Sequence, residues 1–167
     1  VAEMKSKKYH TLKGEEVKSR AEKAIADFLF LHDLNYQYEK TAGWADKAED
    51  KIVYQPDFYL PDYDIYIEHW GVDEDGEVAE WFEWTTEQYQ DKMRWARGQF
   101  KEYDKTLIET YDYTYRDGTL EQKLNTKLKN NGVNLNKLNF EDYIDSVFEH
   151  SKYDMLDKFM DFIGNAK

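Results

Sequence analysis

Asp57 and Glu68 are the side chains whose type and spacing best suit chemistry in this sequence. They stand eleven residues apart in the stretch from Gln55 to Gly71, QPDFYLPDYDIYIEHWG. Each lies on an extended hydrophobic pattern, and Pro61-Asp62-Tyr63 between them reads as a tight turn. Two strands joined in this way bring the carboxylates side by side at one sheet edge. Paired carboxylates suit a hard divalent cation such as Mg²⁺, which prefers oxygen ligands, and phosphodiester cleavage is the chemistry within reach of such a site. Glu68 interrupts an otherwise apolar strand, where an unpaired acid is expensive to bury. It needs a metal, a base or water as partner.

The elements that must position this pair can be read along the chain. Residues 15–32 place Val17, Ala21, Ala24, Ile25, Phe28 and Leu29 on the helical period. Residues 36–40 alternate and predict a strand, and 41–51 a polar loop. Residues 52–60 predict a second strand, with Pro56 fitting an edge or a bulge because it donates no ladder hydrogen bond. Residues 64–69 predict a third, with Ile65 and Ile67 on one face and Tyr66 and Glu68 on the other. An acidic turn at 71–76 leads into a mostly helical 79–103, with a cap near Thr85 and Thr86. Residues 105–110 predict a fourth strand. Tyr111 to Arg116, with its alternating tyrosines, reads as the completion of a sheet edge rather than a base-stacking surface. A helix from Asp117 through Leu120, Leu124 and Leu128 stops at Asn130-Asn131-Gly132. Two more amphipathic helices follow at 140–150 and 153–163. The order α-β-β-β-α-β implies an α/β fold with a mixed sheet flanked by helices. The domain reading is a flexible lead-in at 1–14, one domain at 15–135, and appended helices at 136–167.

The chain has 167 residues, 41% of them apolar and 17% aromatic, which is enough for a packed core. It has no cysteine. That excludes a disulfide framework, a thiolate metal site and a cysteine nucleophile, and is compatible with a reducing cytoplasm. No apolar run approaches the ~18 residues of a membrane span, and the basic N-terminus is not followed by an apolar signal-peptide core. A cytoplasmic protein without a membrane partner is expected. The chain starts at Val1 rather than Met, which fits a domain taken from a larger protein. The net charge of −12 argues against a stand-alone nucleic-acid binder. The charge is uneven, because residues 73–91 hold eight carboxylates and no Lys or Arg, while Lys and Arg concentrate over 92–105. A domain of this kind that meets DNA relies on a neighbour for much of its grip. The acidic run from Asp73 to Glu77 lacks the spacing of a calcium loop and reads as a solvated turn.

The order of elements, with Pro56-Asp57 on the second strand and Glu68 on the third, resembles the PD-(D/E)XK, restriction-endonuclease-like nuclease fold over roughly residues 15–130. The blocks EVKSRAEKAIADFLF, YQPDFYLPDYDIYIEHWG and TLIETYDY resemble the nuclease-like domain carried within bacterial UvrD-like and helicase IV-like superfamily 1 DNA helicases. That resemblance implies Mg²⁺ or Mn²⁺ held by Asp57, Glu68 and the backbone carbonyl of His69. It implies that Glu22, in the first helix, acts on the metal through water. DNA and the helicase motor of the same parent protein are the implied partners. ATP would serve only the parent helicase, since this chain has no phosphate-binding GxxxxGK[ST] loop.

The sequence departs from the family pattern where lysine is wanted two residues after the second acid. Trp70 stands there, and indole cannot offset developing negative charge as an ammonium does. The His69 side chain should point away from that of Glu68, since a strand alternates. The basic group is therefore sought on the following helix, where Lys92, Ala96, Gln99 and Tyr103 share one face at 4-3-4 spacing. Lys92 is the candidate for a migrated lysine. Gln99 and Tyr103 resemble the QxxxY signature of RecB-type nucleases, where that helix borders the active site. Taken singly, these residues have ordinary readings. Asp57 is also a turn cap, Glu22 and Lys92 solvated charges, and His69 and Trp70 packing residues. Three functions stay in view: a Mg²⁺-dependent DNA nuclease module of a helicase, a catalytically silent module of the same fold for DNA guiding or protein docking, and an unrelated α/β interaction domain with an acidic face.

Overall fold

A computed structural model of the chain describes residues 8–47, 53–139, 141–145 and 148–149. Of the two helices predicted beyond 139, the first is helical at 141–145 and the second lies outside the described residues. The chain divides into two compact units, Val1–Leu34 with Asn136–Lys167, and Asn35–Leu135.

In the first unit, β1 (Tyr9–His10) pairs antiparallel with β2 (Glu16–Val17). The stretch expected to be a loose lead-in thus contributes a strand. The helix expected from residue 15 starts later, as α1 (Arg20–Leu31), because Val17 is buried in the hairpin and Ser19 caps the helix. The Ser19 Oγ accepts the Glu22 N–H at 3.0 Å, satisfying one of the orphan donors of a helix start. Ala21, Ile25, Phe28 and Leu29 form the buried stripe that the periodicity predicts.

The second unit holds a four-stranded sheet in the order β3 (Gln37–Tyr38), β4 (Phe58–Leu60), β5 (Ile65–Trp70), β6 (Thr106–Tyr111). The first three strands are antiparallel neighbours, and β6 runs parallel to β5. The parallel step needs a crossover, supplied by α2 (Thr86–Glu102). The architecture is mixed α/β with a mixed sheet flanked by helices. The predicted second strand shrinks to three residues because Pro56 cannot donate to a ladder. Residues 61–64 make the turn to β5, with Asp64 at φ 51°, a conformation aspartate tolerates better than most residues. The IYIEHW sequence of β5 suits a central strand, and all of its residues but His69 are buried.

One face of the sheet presents Tyr66 and Trp70, which join Tyr54, Tyr89, Met93, Ala96 and Phe100 in an apolar cluster. Burying each such large side chain contributes on the order of 1.5–3 kcal/mol. Helix α2 begins later than the predicted 79, at a capping box. The Thr85 Oγ1 accepts the Gln88 N–H at 3.2 Å, and the Gln88 Oε1 accepts the Thr85 N–H at 3.0 Å. The tyrosines after β6 do not prolong the sheet edge. Tyr111 ends β6, and α3 (Asp112–Arg116) turns the chain away before α4 (Leu120–Asn130) packs against β6. Gly132, at φ 78°, follows the α4 cap as its stop signal requires. Thr85→Ala should cost about 1 kcal/mol of stability, and Thr85→Ser much less. Urea denaturation with an unchanged m value checks this, and equal midpoints for Thr85→Ala and the wild type would contradict it.

Candidate active site

The β4–β5 register places Asp57 opposite Glu68, one residue beyond the Phe58–Ile67 pair. Directly opposed residues of an antiparallel pair share a face, and the Asp57 side chain acts on the Glu68 carboxyl. Two carboxylates that share a site favour a proton or a cation between them. Glu68 is 5% exposed. Its Oε1 accepts the Tyr54 hydroxyl proton, and its carboxylate also accepts the Asp57 N–H. Asp57 Oδ2 accepts the His69 N–H at 2.7 Å. Burial pushes the Glu68 carboxyl above its ordinary range, while the bonds from Tyr54 and Asp57 and the charge of Lys92 pull against it. Burial also raises the Tyr54 hydroxyl, and the negative charges of Glu68 and Asp57 raise it further. The Tyr89 hydroxyl, which accepts the Gly71 N–H at 2.9 Å, is pushed up to about 12, mainly by burial, with Asp57 and Glu68 adding to the shift.

Of the other expected site residues, Lys92 lies on the exposed side of α2. Its Nζ is 5.4 Å from the Trp84 ring centroid and 6.0 Å from that of Tyr89, and its charge is felt at Glu68. The His69 backbone reaches the pair through its N–H. Its ring lies on the other face, with Nδ1 2.9 Å from the Thr110 Oγ1. In the continued register Pro56 faces His69 and has no N–H to offer its carbonyl. Gln99 and Tyr103 are brought together, but on Asp46. The Gln99 Oε1 accepts the Asp46 N–H at 2.7 Å, and the Tyr103 hydroxyl donates to the Asp46 Oδ1 at 2.7 Å. The helix face that suggested QxxxY thus meets the β3–β4 loop through Asp46. Glu22 belongs to the first unit, where its Oε2 accepts the Lys18 N–H at 2.9 Å at the start of α1. Trp70, at the lysine position, is buried and donates its Nε1–H to the Glu109 Oε2 at 2.6 Å.

Sequence reasoning missed Tyr54, Tyr89 and Glu109. The parallel register pairs Glu109 with Glu68, and TLIET alternates so as to put Glu109 on that face. That alternation was the available signal. The Tyr54 and Tyr89 contacts depend on a loop and a helix meeting the strand, which local pattern does not encode.

The donor set fits a hard cation. Two carboxylates from adjacent strands face each other, and Mg²⁺ takes one or two carboxylates and keeps several waters. Among the described residues no group of three or more His, Asp or Glu gathers as a full cage. No helix among them is long and apolar enough to cross a membrane. No protein-family model, curated protein or solved structure matches the chain.

The Glu68 shift has a stability consequence. A carboxyl raised in the folded state leaves the native protein holding a proton that the unfolded chain has lost, so stability falls as pH rises above about 4.5. In buffer with chelator, Glu68→Gln should flatten that fall and raise stability at pH 7 by roughly 1–3 kcal/mol. Urea titrations of both proteins at pH 5 and pH 7 read the difference. A Gln variant less stable than wild type at pH 7 would contradict a buried, metal-free carboxylate.

Proposed function

We propose that the unit 35–135 is a restriction-endonuclease-like module that hydrolyses phosphodiester bonds of DNA with Mg²⁺ or Mn²⁺, as part of a DNA helicase. The observation that carries this reading is the carboxyl pair Asp57–Glu68, held face to face on antiparallel strands at the centre of a mixed sheet. Asp57 and Glu68 would hold the metal, with the His69 carbonyl as a further oxygen. A bound divalent cation supplies Lewis-acid charge for attack on phosphorus. The chain's own groups do the positioning. The Tyr54 hydroxyl and the His69 N–H fix one oxygen of each carboxylate. Lys92, whose charge acts on Glu68, offsets the negative charge that builds on the phosphate, in place of the lysine that Trp70 displaces.

One observation favours a second reading. Trp70 is not merely in the lysine position; it is 1% exposed and engaged with Glu109, so that position is committed to packing. A module of the same fold that guides DNA or docks a protein without cutting is consistent with it.

Cleavage of labelled single- and double-stranded DNA with Mg²⁺ or Mn²⁺ separates the readings. Metal-dependent cutting should vanish in Asp57→Ala and Glu68→Ala, together with Mg²⁺ binding measured by calorimetry. Lys92→Met should lower cleavage about 10²–10³-fold, the scale of losing one charge-stabilising group, with metal affinity kept. Unchanged Mg²⁺ binding in the two carboxylate variants would sink the metal site, and full activity of Lys92→Met would remove lysine from its role.

A further inference from the structure

Outside the carboxylate pair, the second unit carries a cleft of about 450 Å³ lined by Arg94 and Arg97 of α2, Tyr111 and Tyr113, and Asp73 and Glu74 of the loop after β5. Pockets of this size hold small molecules or single residues of a polymer. Tyr111 and Tyr113 are stacked, with ring centroids 5.5 Å apart and planes 16° from parallel. Cations surround them. The Lys127 Nζ is 5.4 Å from the Tyr111 centroid, and the Lys123 Nζ 5.4 Å from that of Tyr113. Arg97 donates to the Tyr111 hydroxyl at 3.4 Å and grips Glu109 through Nε at 2.9 Å. Arg94 is largely exposed and pairs with the equally exposed Asp91, a contact that solvent weakens. In a chain of net charge −12, four cations stand beside this aromatic pair, two of them already paired, Arg94 with Asp91 and Arg97 with Glu109.

Asp73 and Glu74 line the same cleft. The Asp73 Oδ1 is taken by the N–H groups of Asp75 and Glu77, which makes it part of a turn. Arg94, whose pairing with Asp91 solvent weakens, marks the side where phosphate is tolerated, and the tyrosines the side where a flat, uncharged ring is. The cleft is also connected to the carboxylate pair. Tyr111 is the register partner of Trp70, two residues along β5 from Glu68 and on the same face, roughly 7 Å away at strand spacing. Glu109 accepts from Trp70 on one side and Arg97 on the other.

We infer that this cleft binds one nucleotide of single-stranded DNA, its base against the Tyr111–Tyr113 pair and its phosphate on Arg94, with the strand leading to Asp57 and Glu68. The direction of the strand rests on the nuclease reading above; the binding does not. A paired base offers no free face to stack, so the cleft discriminates against duplex.

Fluorescence anisotropy of labelled oligo-dT with the full chain in EDTA tests this without cleavage. Tyr113→Ala should weaken binding roughly 5- to 150-fold, the span seen for losing one stacked base, while Tyr113→Phe keeps wild-type affinity. Arg94→Ala should weaken binding and reduce the slope of log affinity against log salt by roughly 0.7, one phosphate's share on a single strand. Circular dichroism melts of the same variants establish that they fold. The cleft is overturned if the wild type fails to bind oligo-dT, if Tyr113→Ala and Arg94→Ala both bind as the wild type does, or if a hairpin duplex binds as tightly. If cleavage proves independent of Asp57 while Tyr113→Ala still weakens binding, the hydrolytic reading falls and the cleft is supported.

Discussion

A carboxylate in the middle of a central strand is the constraint on which this unit depends. Glu68 sits on β5 between β4 and β6, where its neighbours Ile67 and Trp70 are buried. Burying an ionised acid without compensation costs several kcal/mol. The surrounding structure supplies the compensation piece by piece. The Tyr54 hydroxyl, the Asp57 N–H and the Asp57 carboxyl all converge on it. Each contact demands something of the chain. Tyr54 must be carried in by the segment before β4, which Ala42 holds by donating its N–H to the Tyr54 carbonyl at 2.9 Å. Asp57 must fall opposite Glu68, which fixes the β4–β5 register, since a one-residue slip would turn it to the other face. A strand built only for stability would carry an apolar residue there. The retained acid, opposite a second acid, is what makes the pair a candidate site rather than a structural ion pair.

Trp70 stands on the same strand where the resemblance to a nuclease pattern led lysine to be expected. An ammonium at that position would stand beside Glu68 and Glu109 and would be neutralised by them. The indole instead fills the space under Tyr89, with ring centroids 6.0 Å apart, and spends its N–H on Glu109. Glu109 is then balanced by Arg97 from α2, at 2.8 Å. The positive charge that acts on this strand comes from the helix, in Arg97 and in Lys92. A charge on a helix surface is more hydrated and more mobile than one on a central strand. It can meet an arriving phosphate, whereas it cannot be held as firmly before the phosphate arrives.

The parts of this arrangement that were legible in the sequence are those set by short-range periodicity. The alternation of residues 64–69, the turn at 61–63 and the helix over α2 follow from spacing and turn chemistry, and they were enough to put Asp57 beside Glu68. What was illegible depends on which distant segment meets a given face. Gln99 and Tyr103 do share a face of α2, as their spacing requires, yet the group that meets them is Asp46 from a loop more than fifty residues earlier. No helical period announces that. The alternating tyrosines at 111–115 fit a strand as well as a helix. The choice went to α3, whose Thr114 Oγ1 donates to the Tyr111 carbonyl at 2.6 Å. Likewise, Val17 sits on the α1 period by coincidence, and the Ser19 cap decides where the helix starts.

The charge distribution gives the two features of the unit a common logic. An overall negative chain repels polyanions at long range, so encounter with DNA gains nothing from steering. Binding must then come from contacts that act at short range and weigh stacking above charge. The stacked tyrosines meet that requirement, because ring contacts are little affected by the net field. The arginines and lysines beside them need only cancel the local repulsion of one or two phosphates. On the proposed nuclease reading the same reasoning calls for a metal at the carboxylate pair. Without a cation, Asp57 and Glu68 would oppose an arriving phosphate. A divalent ion reverses that sign locally. On the readings proposed above, the stacking cleft would hold a neighbouring nucleotide without an ion, and the two sites would divide the work of binding an anion to an acidic surface.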